Sequence, residues 1–113
     1  MKAPKVSNRD ARGYVQRHEP FEGSNTYGAV VNGRYNSRYV VTSYGDHWPM
    51  FIYEGGQWFE NADKYSKTTS KQHVQLHPQC KTIPMGAAHM NIIAAHGIAG
   101  LAAGATMDYQ EAV

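Results

Sequence analysis

Between Thr26 and Glu60 the chain runs through β-branched and aromatic residues and is broken three times by glycine-containing turn pairs, a pattern that leaves few folds open. Val, Tyr, Phe, Trp and Thr fit a pleated, half-buried surface better than a helix. Tyr27 to Val31 makes one strand, closed by Asn32-Gly33, a pair that tolerates positive φ at both central positions of a tight turn. Arg34 to Tyr44 returns beside it, Gly45-Asp46 turns the chain again, and Trp48 to Tyr53 makes a third strand. Glu54-Gly55-Gly56-Gln57 is a further turn signal, after which Gln57 to Glu60 returns as a fourth strand. The pattern predicts a twisted antiparallel sheet of about four strands. If Trp48, Met50 and Ile52 face the core, strict alternation puts Phe51 and Tyr53 on the opposite face.

Beyond Tyr65 the pattern changes. Thr69-Ser70-Lys71-Gln72 matches a capping box, with the Thr69 hydroxyl on an orphan backbone N–H and Gln72 reaching back. A short helix to about His77 follows, ended by Pro78, which lacks the donor needed to continue the ladder. The fold class is therefore α+β, one short helix on the sheet. Pro84 to Met107 is rich in Ala and Gly and carries Met90, Ile92, Ile93, Ile98 and Leu101. Gly97, Gly100 and Gly104 each cost about 1 kcal/mol relative to Ala inside a helix. Two readings stay open for residues 84–113, a C-terminal helix or an apolar, oligomerising tail. Residues 1–25, with Pro4, Gly13, Pro20 and Gly23 among polar neighbours, show no helical or strand period and read as a basic flexible arm. The compact part then spans 26–83.

At 113 residues the chain has room for one domain and not for a multidomain enzyme. The net charge of +2 excludes an acidic mimic of DNA and does not demand a polyanionic partner. That small sum hides sorted segments. Up to Arg38 there are seven basic and three acidic residues, Val41 to Asp63 holds four acids and no base, and Lys64 to Lys81 holds four lysines and no acid. A single cysteine, Cys80, forms no internal disulfide, which fits a reducing cytoplasm. The basic N-terminus has no apolar run behind it and does not read as a signal peptide. Gly100 and Gly104 are spaced as in membrane-helix dimers, but His89, Asn91 and His96 interrupt the stretch, so no membrane span is expected.

Three pieces of sequence together resemble a small domain of tailed-bacteriophage proteins for which no activity is assigned. They are Arg38-Tyr39-Val40-Val41-Thr42-Ser43-Tyr44, the hairpin around Gly55-Gly56-Gln57-Trp58, and Lys64-Tyr65-Ser66-Lys67-Thr68-Thr69-Ser70-Lys71-Gln72. In that family a Tyr-Val-Val strand leads through an aromatic hairpin to a Tyr-Ser-x-Thr-Thr-Ser-Lys segment that opens a helix. The likeness covers about residues 38–77. Pro78 cuts the helix where the family's would continue, and the Ala/Gly tail is foreign to the family. The resemblance implies phage origin and, with it, the host cytoplasm.

Reactive constellations are sparse. His73, His77 and Cys80 read H-x3-H-x2-C, with His89 as a fourth candidate zinc ligand; no second closely spaced pair accompanies them, so neither a metal nor another cofactor is assigned. Cys80 has no neighbouring base and orienter, and Asp46, Glu54, Glu60 and Asp63 lie at turns and strand ends, where acids usually face water. No catalytic role is expected. The surplus is aromatic: eight Tyr, three Phe and two Trp. On a sheet with one covered face, half of these rings would be displayed, and exposed Tyr and Arg are what interfaces concentrate. Tyr39, Tyr44, Phe51, Tyr53 and Trp58, with Arg34 and Arg38 as polar partners, are the candidate binding residues. The leading expectation is a phage accessory protein that binds a host protein or ribonucleoprotein, in its most specific form an inhibitor of a CRISPR effector or another antiviral nuclease. A single-strand nucleic-acid binder stacking bases on the same rings is the alternative, and a small zinc protein the second alternative.

Overall fold

The computed structural model describes residues 3–32, 37–43, 48–63 and 67–102. Its elements in chain order are α1 (Asn8–Gln16), β1 (Phe21–Glu22), β2 (Thr26–Asn32), β3 (Ser37–Ser43), β4 (Trp48–Glu54), β5 (Gln57–Asn61), α2 (Lys67–Leu76), β6 (Ile83–Met85) and α3 (Ala87–Ala102). The α+β class is as expected from the sequence, but the sheet is larger and mixed. Six strands lie in the order β1-β2-β3-β4-β5-β6; the first five are antiparallel, and β6 is parallel to β5 across the α2 crossover.

The strands β2 to β5 form the expected antiparallel meander; the expected turns at Gly33 and Gly45-Asp46 lie outside the described residues, and the second strand is described from Ser37 to Ser43. Gly55 and Gly56, at φ +62° and +80°, supply the two left-handed positions that join β4 to β5. Strict alternation fails in β4. Val41 pairs with Phe51 while Thr42 pairs with Pro49, so Met50 is the extra residue of a bulge. Pro49 cannot donate to a ladder, and a bulge is one of the few places a strand tolerates it. The kink puts Trp48, Met50, Phe51 and Tyr53 in one cluster, with Ile52 and Glu54 turned to the other face.

Residues 3–25 are not a separate arm. Ser7 caps α1, its hydroxyl accepting from the Asp10 N–H at 3.2 Å, and Ala11 and Val15, one turn apart, are buried. Past Gln16 the chain turns at His18, whose φ of +57° brings the Glu19 N–H back to the Tyr14 carbonyl at 2.8 Å, while the His18 N–H donates to the Val15 carbonyl. Residues 4–6 then run beside Glu22 through the Val6 N–H to Glu22 carbonyl and Glu22 N–H to Pro4 carbonyl bonds. The capping box also fails: α2 already starts at Lys67, and the Gln72 amide is directed inward, accepting from the Ser43 hydroxyl and donating to the Ser24 carbonyl.

The tail resolves as a helix over its described part. Helix α3 lies on the sheet face opposite α1 and α2, where Met90 and Ile93 pack on Val40, Ile52 and Phe59. Residues 103–113 lie outside the described residues. At Gly97, φ +77° and ψ 177°, α3 is broken. Buried Arg38 donates to the Ala94 carbonyl before the break, and the buried Glu54 carboxylate accepts the Ile98 N–H after it. Two buried charges thus serve the backbone groups that the break releases. No helix among the described residues is long and apolar enough to cross a membrane. The sheet is the middle of three layers, with helices on both faces.

Candidate functional site

Four of the expected binding residues are interior. Arg38 is 4%, Tyr39 3%, Phe51 0% and Trp58 6% exposed, so none is a surface anchor in this conformation. The reason is the layering: residues 8–16 fold over one sheet face and residues 87–102 over the other, covering these rings, while Tyr27 of β2 stays exposed. The Tyr39 hydroxyl donates to the Glu19 carbonyl at 2.6 Å, and burial, then the nearby Glu19 charge, push its phenol well above the ordinary range. Tyr53 is half-buried with the His18 ring stacked on it, centroids 4.0 Å apart, and Tyr39 and Trp58 complete an aromatic box around that imidazole. Burial in this box lowers the pKa of His18. Arg34 and Tyr44 lie outside the described residues.

Of the four candidate metal ligands, the structure brings two together. His73 of α2 and His77, the first residue beyond its end, both reach toward the sheet; Cys80 is exposed, and His89 is exposed on α3, across the sheet from them. Their shared partner is Glu60 of β5. His73 Nε2 lies 2.6 Å from Glu60 Oε2, His77 Nε2 lies 3.1 Å from Oε1, and the Thr82 hydroxyl donates to Oε1 at 2.5 Å. The Phe51 ring forms the floor, 4.6 Å from the His73 ring and 5.4 Å from that of His77. Spacing along the chain gives no sign of this pairing, because Glu60 meets the histidines only through the β5-to-α2 connection.

Hydrogen bonding determines what this cluster can do. His77 Nδ1 accepts the Gln79 N–H at 2.9 Å, so in the neutral ring Nε2 carries the proton and donates to Glu60. Turning Nε2 into a metal ligand would put a proton on Nδ1 against a second N–H. Among the described residues no group of three or more His, Cys, Asp or Glu is arranged to hold a metal ion. Burial pulls the Glu60 carboxyl upward, but the Thr82 and His73 hydrogen bonds and the His73 and His77 charges outweigh it and hold its pKa below the ordinary value. Glu60 thereby fastens α2 and the segment entering β6 to the sheet.

The charged segments are sorted in space as well. Arg12 donates to the Val74 carbonyl at 2.7 Å and Gln16 to the Pro78 carbonyl at 3.1 Å, each pair 62 residues apart, so α1 and α2 run parallel and in step. The helical parts of the two basic segments thereby form one layer, whereas Arg38 lies on the other face beneath α3. Helices α1 and α2 carry Arg9, Arg12, Lys67 and Lys71 against Asp10 alone. Three of the four acids between Val41 and Asp63 are engaged: Glu54 by Ile98, Glu60 as above, and Asp63 by the Ala87 N–H at 2.8 Å. Asp46 lies outside the described residues. No family model, curated protein or solved structure matches this chain.

Proposed function

We propose that the protein is a non-catalytic accessory protein of phage type that docks on a host macromolecule, and that in its most specific form it obstructs a host defence complex such as a CRISPR effector or an antiviral nuclease. Phage origin rests on the resemblance of residues 38–77. The observation that supports docking is the outward distribution of charge. Arg9 and Lys71 are exposed on a two-helix layer, while the most elaborately bonded acid, Glu60, turns inward to His73, His77 and Thr82. Docking therefore falls to the α1–α2 layer, in place of the aromatic sheet face on which the sequence reading put it.

The test is affinity purification of the tagged full-length protein from host cells, with and without nuclease, followed by identification of what accompanies it. A stoichiometric host protein or ribonucleoprotein is expected. Recovery of the protein by itself under both conditions would overturn the reading.

A further inference from the structure

We propose that the α1–α2 layer is a nucleic-acid-binding surface that holds the phosphate backbone, a reading that rests on the docking function above and names its partner. Four cations against one acid give the two helices a net +3, more than the +2 of the whole chain. Helices in contact lie about 8–10 Å apart, within about one Debye length at 0.1 M salt, so the fields of the cations on the two helices add. The offset of 62 that sets Arg12 beside Val74 also sets Lys71 level with Arg9, at the N-terminal halves of both helices. Because the helices run parallel, their positive dipole ends lie on the same side and reinforce that potential.

Two further observations favour a polyphosphate over an acidic protein. Stable protein interfaces centre on aromatic or other large apolar anchors, and Tyr39, Phe51 and Trp58 are interior. The large apolar side chain displayed on α2 is Val74, 68% exposed, a small anchor. Phosphate binding requires no such anchor, since neutralised charge and released counterions supply the affinity. The acids of the central strands would repel a nucleic acid lying across the sheet, but Glu54 and Glu60 are directed inward, Glu54 beneath α3 and Glu60 beneath α2. Arg17 does not contribute in the same way, because Glu19 pairs with it at 2.8 Å.

Fluorescence anisotropy of the full-length protein with a labelled 20-base-pair DNA duplex, and with one labelled strand alone, tests the proposal. A dissociation constant of roughly 1–100 μM is expected near physiological salt, and neutralising about three phosphates gives a log-log salt slope of roughly −2 to −3. Arg9→Ala with Lys71→Ala should weaken binding at least about tenfold and reduce the slope by about two, with an unchanged thermal midpoint reporting an intact fold. Arg17→Ala should change affinity by less than about threefold, its charge being already paired. An equal loss in Arg17→Ala and Arg9→Ala would mean that net charge alone is read and would overturn the assigned surface. Poly-L-glutamate competing as well as DNA at equal charge would overturn the choice of partner. Absence of binding to either probe while host protein is still captured would sink this inference and leave the docking function standing; failure of both experiments would remove both.

Discussion

Replacing Glu60 with Ala removes one carboxylate and leaves three donors behind: the Nε2–H groups of His73 and His77 and the Thr82 hydroxyl. A buried donor without a partner costs about 1–3 kcal/mol. The Glu60 side chain is 24% exposed, so water reaches part of the site and the lower end applies, about 1 kcal/mol for each donor and about 3 in all. With a urea dependence of roughly 1–3 kcal/mol per molar for a small protein, the unfolding midpoint should fall by about 1–3 M at pH 7. Glu60→Gln should be milder. Its amide oxygen can occupy the Oε1 position and serve His77 and Thr82, while its NH2 faces His73, whose ring can change tautomer to accept; His77 has no such freedom because Gln79 holds its Nδ1. A loss of about 1 kcal/mol is expected, the difference between charged and neutral acceptors.

The pH dependence carries a definite sign. The folded-state pKa of Glu60 lies below its ordinary value of 4.5, so the folded protein favours the ionised form. Its contribution is fully present above 4.5 and disappears as pH falls through the lowered folded value. In urea titrations the gap between wild type and Glu60→Gln should therefore narrow as pH falls from 7 toward 3, while Glu60→Ala, which has no acceptor at either protonation state, stays the least stable. Parallel curves over the whole range, or Glu60→Gln as damaging as Glu60→Ala, would refute the hydrogen-bond account of this cluster.

Other perturbations probe other parts of the fold. A Cβ on Gly28 would sit 2.4 Å from both the Phe21 ring and the Tyr39 hydroxyl, so Gly28→Ala should lower the thermal midpoint by on the order of 10 °C, the effect of about 1–3 kcal/mol of overpacking. Gly97→Ala combines a φ of +77° with a Cβ 3.0 Å from Glu54 Oε1; chemical denaturation should show about 1–3 kcal/mol lost, and a neutral result would mean the break in α3 is not held by Arg38 and Glu54. His18, its pKa lowered by burial, contributes stability above 6.5 that is lost as pH falls through its folded value, so His18→Asn should remove the part of the acid sensitivity that begins just below 6.5, well above the Glu60 range. Denaturation at pH 7 and pH 5.5 measures the difference.

Much of the sheet is legible in the residues themselves, and the reasons are local. Gly55-Gly56 joins two strands whose side chains fit a pleat, and the β-branched and aromatic runs of β2 to β5 follow from the same short-range rules. The first helix is not legible, because its buried stripe is only Ala11 and Val15 with Gly13 between them, too little for a helical period to stand out. Strand β6 is three residues long and pairs in parallel through a helix, a connection that no turn residue announces. The bulge at Met50 reverses the face of half of β4, and alternation alone cannot foresee it.

Composition and turn chemistry determined that this chain builds an antiparallel meander and that basic and acidic residues occupy separate segments, since each property depends only on neighbours within a few positions. Which segments meet was decided by the tertiary structure. Burying both faces of a six-stranded sheet drew residues 8–16 and 87–102 over the rings of the central strands. The same packing set α1 beside α2 so that two distant runs of cations became one surface, and it placed Glu60 between two imidazoles. Burial of apolar surface is non-directional and cannot be traced to any one stretch of chain, which is why the outward face of this protein is a property of the fold.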